Sequence, residues 1–315
     1  MHALARGATD AGWDFIAVGD KKGPIEFNID GVTFLDIDAQ ENLGFAFAEQ
    51  CPFNHYARKN IGYLKAIADG AEVIVETDDD NYPLSSFFQE RTLSTSAYSV
   101  NSDRWTNMYR LYHDSNIWPR GFPLREIMGS KPILGNEDCR NFPIQQGLAD
   151  ENPDVDAIYR MTCQLPVKFK YHANTYLGRG QYCPFNSQNT TFHKQAFPLL
   201  YLPAYCSFRM TDIWRGLIAE RICHAFNWPV LFHGHTVCQD RNDHDLMNDF
   251  KDEIEGYLNN EKIVDTLEKL TLSSSQYAIL DHLRRCYDTL ISKKFIGEEE
   301  GNLVESWTKH LATLQ

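Results

Sequence analysis

The stretch at residues 58–83, RKNIGYLKAIADGAEVIVETDDDNYP, constrains the fold more than any other part of the sequence. Apolar residues recur there at helical spacing as far as Gly70, a residue type that commonly ends helices. The apolar run EVIVET follows and has the composition of a buried strand. A helix that leads directly into a buried strand is the repeating unit of α/β folds.

Two earlier apolar runs extend this pattern toward the start of the chain. WDFIAVGD (13–20) and VTFLDI (32–37) are predicted strands, and residues 2–12 are a predicted short helix. Alternating strands and helices indicate an α/β fold with a mainly parallel central sheet. In such sheets, ligands bind beyond the carboxyl ends of the strands.

The middle and the end of the chain differ from this first part. Residues 100–200 predict ordered loops with short strands, for instance DAIYRMT (156–162). Residues 211–226 predict a helix, and PVLFHGH (229–235) predicts a short strand. Three amphipathic helices follow, near 249–271, 274–294 and 299–314. We therefore expect a helical extension over residues 249–315, packed on an α/β domain of residues 1–248.

Composition limits the classes of partner. The 315 residues carry a net charge of −13, which argues against a nucleic-acid or anionic-membrane surface. No apolar run approaches the ~18 residues of a membrane helix, and the start shows no signal-peptide pattern. The eight cysteines are scattered without a CxxC pair, which favours reduced thiols. These observations predict a cytoplasmic protein.

Asp78, Asp79 and Asp80 stand where the predicted strand meets solvent. Three adjacent carboxylates repel one another, and oxygen ligands of this kind hold hard cations such as Mg²⁺ or Mn²⁺ together with phosphate oxygens. The alternative is an ordinary solvated acidic turn.

Three further segments carry candidate functional groups. The loop SNIWPRGFPLREI offers Arg120 and Arg125 for bidentate phosphate recognition, or is an ordinary loop with surface arginines. Asp212 is either a helix N-cap or a general base at the edge of a cleft. His233 and His235 end a predicted strand, where each is either a metal ligand or a structural hydrogen-bonding group.

The order of these motifs resembles that of the STELLO-type glycosyltransferase family over roughly residues 13–255. The motifs that carry the resemblance are VGD, RKNIGYLKAIADGAEVIVETDDDN, WPRGFPL, QQGLADENPDVDAIYRMT, TDIWRGLIAERI and QDRNDHDLMNDFKDEI.

The resemblance implies a GT-A fold, in which a DxD-type motif holds a divalent cation and the diphosphate of a nucleotide sugar. The implied activity is metal-dependent sugar transfer to a glycan or another hydroxyl acceptor. The expected cofactor is Mn²⁺ or Mg²⁺, and a UDP-sugar is favoured over a GDP-sugar as the donor. A homo-oligomer is compatible with the sequence.

The resemblance also implies roles for individual residues. Asp212 is the expected general base, and Arg120 is expected beside the donor sugar. The expected metal ligands are Asp78, Asp80 and His233. The expected donor-binding residues are Arg58, Lys59, Asp78, Asp79, Arg120, Arg125 and Trp214.

A weaker likeness reaches the reversibly glycosylated polypeptides, which are UDP-arabinopyranose mutases. It rests on Arg58 before the aspartates, the loop from Arg120 to Glu126, and the pairs Asp212/Trp214 and Phe232/His233. The likeness implies an alternative function, a mutase or self-glycosylating protein in which Arg120 lies at the sugar. A non-catalytic partner protein is a third alternative.

Overall fold

A computed structural model of the chain describes residues 1–24, 26–170, 172–240 and 245–314. Both helices and strands occur in the first part of the chain, and the end is helical. The strands are β1 (Phe15–Val18), β2 (Val32–Leu35), β3 (Val73–Thr77), β4 (Asn81–Pro83), β5 (Ser94–Asn101), β6 (Ile133–Asn141), β7 (Ile144–Asp150), β8 (Thr175–Leu177), β9 (Asn189–His193) and β10 (Val230–Gln239).

The helices complete an α/β architecture, as predicted. They are α1 (His2–Ala11), α2 (Ile37–Asn42), α3 (Ala46–Gln50), α4 (Lys59–Ala68), α5 (Tyr109–Tyr112), α6 (Ala157–Thr162), α7 (Thr211–Phe226), α8 (Leu246–Glu268), α9 (Ile279–Ser292) and α10 (Glu300–Leu314). Short 3-10 segments span Tyr56–Arg58, Leu124–Glu126, Lys194–Leu200, Phe208–Met210 and Gln276–Ala278. No helix of the described residues is long and apolar enough to cross a membrane.

The central sheet of the described residues is mixed, so the prediction of a mainly parallel sheet is wrong. Its strand order is β3-β9-β7-β10-β8-β5-β6, and β4 pairs with β10. β10 is parallel to β7, and β8 is parallel to β5, whereas the other pairs of this sheet are antiparallel. Parallel neighbours need long crossovers, usually helical, and the middle of the chain supplies few of these.

β1 and β2 form a separate parallel pair. The described residues between them contain no helix, so the predicted strand–helix alternation does not extend to this pair.

Residues 157–162 form the helix α6, whereas the sequence predicted a strand over residues 156–162. Asp156 precedes α6, and its side chain accepts a hydrogen bond from the backbone N–H of Tyr159 at 2.7 Å. This N-cap satisfies one of the free donors of the first helical turn and so favours the helix.

Helix α7 lies at the centre of the main core. It is buried on nearly every side, so its apolar residues show no single face. Trp214 of α7 donates its indole N–H to Asn260 of α8 at 2.8 Å. Asn260 in turn donates to the backbone carbonyl of Gly121 at 2.7 Å. Helix α8 is therefore hydrogen-bonded both to α7 and to the loop around Gly121.

Candidate functional site

A large cleft of about 1600 Å³ opens along β1 and β3. The acidic residues that follow these strands, Asp20 after β1 and Asp78–Asp80 after β3, line one part of it. The cleft exceeds the ~300–1,000 Å³ of an ordinary small-molecule site. It therefore has room for more than one bound group.

Asp78 follows directly after β3 and is paired with Lys59. Its carboxylate accepts a hydrogen bond from Lys59 Nζ at 3.3 Å, and Lys59 also donates to the carbonyls of Thr77 and Ser187. Burial raises the pKa of Asp78 to about 6. The positive charge of Lys59 opposes this rise, and the negative charge of Asp80 adds to it. A partly buried carboxylate whose ionised form is disfavoured is a good receptor for a cation.

The two neighbouring aspartates have different surroundings. Both oxygens of Asp80 accept hydrogen bonds from the side-chain amide of Gln239 at 3.1 Å. Asp79 is exposed, and all three aspartates line the cleft. The strand β3 therefore delivers the three carboxylates to one side of the cleft.

Arg120 lies at the cleft between two buried carboxylates. Its guanidinium makes a bidentate contact with Asp154, at 2.8 and 2.9 Å, and a second with Asp212, at 3.1 and 2.9 Å. It also donates to the backbone carbonyl of Arg209. These contacts use all five N–H donors of the side chain. Arg120 thus contributes to the cleft as the centre of an ion cluster.

The loop backbone places Arg120 at this point. Gly121 has a positive φ of +83°, which a residue with a Cβ rarely adopts. A Cβ there would also lie 2.4 Å from Ile213 Cγ2. The loop can therefore pack directly against the start of α7, which carries Asp212.

Asp212 is held on both oxygens. Oδ1 accepts from Arg120 and from the backbone N–H of Ile213 at 3.1 Å, and Oδ2 accepts from Arg120 and from the N–H of Ser187 at 3.3 Å. A carboxylate has about four lone-pair sites, so these four donors fill them. Burial raises the pKa of the other carboxylate, Asp154, but the Arg120 guanidinium outweighs burial and holds that pKa below its usual value.

Of the other expected donor-binding residues, Arg58 and Lys59 line the cleft. The guanidinium of Arg58 is buried and donates to Gln40 Oε1 and to the carbonyl of Cys51. Its ring partner is Phe53, with the guanidinium carbon 4.5 Å from the ring centroid. Lys59 therefore contacts the aspartates, whereas the guanidinium of Arg58 stabilises the neighbouring segment around Gln40 and Cys51.

Arg125 and Trp214 do not line the cleft. Arg125 is exposed and forms an ion pair with Glu261 at 2.9 Å. Trp214 is fully buried in the main core. The structure therefore does not bring these two residues together with the aspartates.

His233 also lies away from the cleft lining. Its Nδ1 donates to the carbonyl of Gly234 at 2.9 Å, and burial, aided by the charge of Arg91, lowers its pKa to about 4. His235 lies 3.4 Å from an oxygen of Asp150, and the β10–β7 register shifts on both sides of it. In the described part of the chain, no three His, Cys, Asp or Glu side chains are grouped to hold a metal ion. Asp78, Asp80 and His233 are thus not assembled as one ligand set.

Sequence reasoning missed Asp154 and Gln239, which contact the predicted residues directly. Asp154 is part of the motif QQGLADENPDVDAIYRMT, where it stands between Pro153 and Val155 as one of several acidic residues and gives only a weak signal. Gln239 lies in QDRNDHDLMNDFKDEI, of which residues 241–244 lie outside the described residues. Both contacts join segments far apart along the chain, so spacing alone could not reveal them.

Comparison with known proteins identifies relatives of this chain. Residues 209–315 match the family model of STELLO glycosyltransferases, a segment that includes Asp212 but neither Arg120 nor the three aspartates. Probable glycosyltransferase STELLO2 of Arabidopsis thaliana is 28% identical over 332 residues, covering 96% of this chain and 41% of that protein. Probable glycosyltransferase STELLO1 of the same plant is 29% identical over 242 residues, covering 67% of this chain and 30% of that protein. The chain spans less than half the length of these relatives.

Proposed function

Because the chain is a relative of the STELLO glycosyltransferases, as its motifs predicted, we propose that it transfers a sugar from a nucleotide-sugar donor to an acceptor hydroxyl. One observation carries the proposal: a single cleft gathers Asp78, Asp79, Asp80 and Lys59 with the Arg120–Asp212 ion cluster. We assign the donor diphosphate to the aspartate side of that cleft. A GT-A-like organisation of the first 248 residues is part of this proposal, and a cytoplasmic location stays a prediction.

The residues at the aspartate side fit a divalent cation by their chemistry. Asp78 and Asp80 offer carboxylate oxygens, which hard cations prefer. The charge of Lys59 does not fully offset the free-energy cost of burying the ionised Asp78. A bound cation supplies positive charge against the diphosphate leaving group. The expected histidine ligand does not line the cleft, so nothing in this site favours Mn²⁺ over Mg²⁺.

Lys59, Arg120 and Asp212 have separate roles in the proposed reaction. Lys59 Nζ lies beside the aspartates and uses its three N–H donors on Thr77, Asp78 and Ser187, so we assign it an electrostatic attraction to the diphosphate rather than a direct hydrogen bond. Arg120 fixes the orientation of Asp212 through two hydrogen bonds. The contact from Ser187 N–H to Asp212, at 3.3 Å, is the longest of the four that Asp212 accepts. An acceptor hydroxyl that replaces it would place its proton on a preoriented carboxylate.

The mutase and self-glycosylating alternative gains no support from this geometry. It requires Arg120 beside the sugar, and all five donors of Arg120 are engaged by protein oxygens. A non-catalytic partner protein also lacks a specific observation in its favour. A buried ion cluster beside an acidic cleft is a costly arrangement for a surface that only docks.

The test combines ligand binding with product analysis. In a thermal-shift experiment, UDP with Mn²⁺ or Mg²⁺ should raise Tm, since a ligand that binds the native state stabilises it, and EDTA should abolish the shift. Asp80→Asn should lose the shift, whereas Asp288→Asn, an exposed site of equal charge change on α9, should keep it. GDP serves as the comparison for the base. Release of UDP from a panel of UDP-sugars, dependent on an added acceptor, should follow the same pattern.

Two outcomes would contradict the proposal. The first is an undiminished nucleotide shift in Asp80→Asn, which removes the aspartates from the binding site. The second is sugar appearing on Arg120 by mass spectrometry without any acceptor, which selects self-glycosylation instead.

A further inference from the structure

The central sheet ends at β6 on the side away from the cleft. β3, which lines the cleft, and β6 stand at opposite ends of the strand order. Among the described residues, β6 pairs with β5 alone, and most of its residues are exposed. A strand edge presents backbone N–H and C=O groups that can pair with a further strand. The outer edge of β6 is therefore open to a partner.

Only the second half of β6 has a regular edge. A β-bulge sets Gly135 and Asn136 of β6 against Ser99 of β5. A bulge bends its strand and interrupts the regular pairing. From Glu137 to Asn141, by contrast, each residue lies opposite one residue of β5. Residues 137–141 are called the open edge below.

The open edge carries charges of both signs on one face. Arg140 Nε donates to an oxygen of Asp138 at 2.7 Å, and the Arg140 guanidinium carbon lies 5.3 Å from the ring centroid of Tyr176. The side chains of Asp138 and Arg140 are 38% and 42% exposed. Edge charges of a single sign repel a second copy of the same strand. Asp138 and Arg140 can instead attract one.

The positions of these charges select one register for a second copy. In an antiparallel pair about a two-fold axis, one residue lies opposite its own copy, and its two neighbours lie opposite each other. An axis at Glu137, Asp138 or Arg140 sets like charges directly opposite each other. An axis at Cys139 sets Asp138 of each copy opposite Arg140 of the other. The open edge is therefore self-complementary about Cys139.

We propose that two copies of this chain associate through the open edge, in an antiparallel pair centred on Cys139 that joins the two central sheets. Two cross-strand ion pairs fix the register, and backbone groups of both edges become hydrogen-bonded. The contact is small, so we expect a reversible dimer with a Kd of about 10–100 μM. Both clefts lie at the ends of the joined sheet that are remote from the axis. The association is therefore independent of the proposed sugar transfer.

Sedimentation velocity of the whole chain over a range of concentrations tests the dimer at low ionic strength, where exposed charges are least screened. Asp138→Arg and Arg140→Asp should each raise the Kd at least tenfold, because each sets like charges opposite one another. Asp288→Arg, an exposed charge reversal on α9, should leave the Kd unchanged.

Two combinations of these changes distinguish a contact between chains from the ion pair within one chain. The double variant Asp138→Arg/Arg140→Asp should dimerise again, because it keeps opposite charges across the axis. An equimolar mixture of the two single variants should form a heterodimer, because one chain then supplies only positive and the other only negative charge at positions 138 and 140.

The exposed Cys139 reports the register. Directly opposed residues of an antiparallel pair have Cα atoms about 4.5–5.5 Å apart, which a disulfide can span. Diamide, as the oxidant, should therefore link Cys139 to its copy, and Cys139→Ser should prevent this link while keeping the dimer.

The outcomes separate this proposal from the proposed reaction. The UDP-dependent shift in Tm should be equal in Asp138→Arg and in the unmodified chain, so loss of the dimer and loss of nucleotide binding are measured independently. A chain that stays monomeric up to about 300 μM would overturn the proposal. A mixture of single variants without heterodimer, or a diamide link through another cysteine, would overturn it as well.

Discussion

Replacing Asp78 with asparagine should make the protein more stable at neutral pH while abolishing nucleotide binding. Burial raises the pKa of Asp78 from 3.8 to about 6, so the folded protein binds a proton that the unfolded chain releases. The resulting stability is fully present below pH 3.8 and is lost as the pH rises through 6. Asparagine keeps the shape of the side chain and carries no charge, which removes this loss.

The magnitude follows from the linkage relation. A shift of about two pKa units corresponds to about 3 kcal/mol at pH 7, and to about 1 kcal/mol at pH 4.5, where the folded carboxyl is largely protonated. The Asp78 side chain keeps 29% of its exposure, and solvent screening reduces the gain at pH 7 to about 2 kcal/mol. For a chain of this length, that gain corresponds to a rise in Tm of about 4 °C.

The assay is thermal unfolding of both proteins at pH 4.5 and pH 7, without nucleotide and in EDTA. Asp288→Asn, an exposed change of the same charge, should stay within about 0.5 kcal/mol of the unmodified chain at both pH values. Adding UDP and Mn²⁺ should stabilise the unmodified chain and leave Asp78→Asn unchanged. A variant less stable than the unmodified chain at pH 7, or a difference equal at the two pH values, would refute the reasoning.

Three substitutions test the buried structure around the cleft by thermal or denaturant unfolding. Arg120→Lys should lower stability by about 3 kcal/mol, because lysine cannot satisfy two bidentate carboxylates; unchanged stability contradicts the ion cluster. Arg215→Met should lower the free energy of unfolding by about 3–5 kcal/mol, because it leaves Glu76 buried without its ion-pair partner. Adding Glu76→Gln should restore part of that free energy. Trp307→Ala should lower the free energy of unfolding by about 3–5 kcal/mol, because it leaves a cavity in the core. A decrease below about 1 kcal/mol would contradict the packing of α10 in the core.

The first of these three predictions departs from what the sequence indicated. From its motif alone, Arg120 is expected to contact the donor phosphate or sugar. The structure buries Arg120 between Asp154 and Asp212. Removing one member of such a cluster leaves the others as unpaired buried charges, so the substitution acts on stability as well.

Local patterns predicted most of the helices and the early strands. α4 and β3 follow from helical spacing, a glycine stop and a short apolar run, all of which act within about ten residues. The three C-terminal helices were predicted in the same way and are confirmed with bounds that differ by a few residues. Local rules failed at α6, where the side chain of Asp156 caps the first turn of a helix in a strand-like run.

The sequence by itself determined the α/β class, the resemblance to STELLO glycosyltransferases and the placing of three aspartates at a strand end. Each depends on the order of residues along the chain or on interactions between near neighbours. Tertiary structure alone decided the mixed sheet, the pairing of Arg120 with Asp154 and Asp212, and the distance of His233 from the cleft. These features join residues separated by thirty positions or more, and their geometry depends on how whole elements pack, which no local pattern encodes.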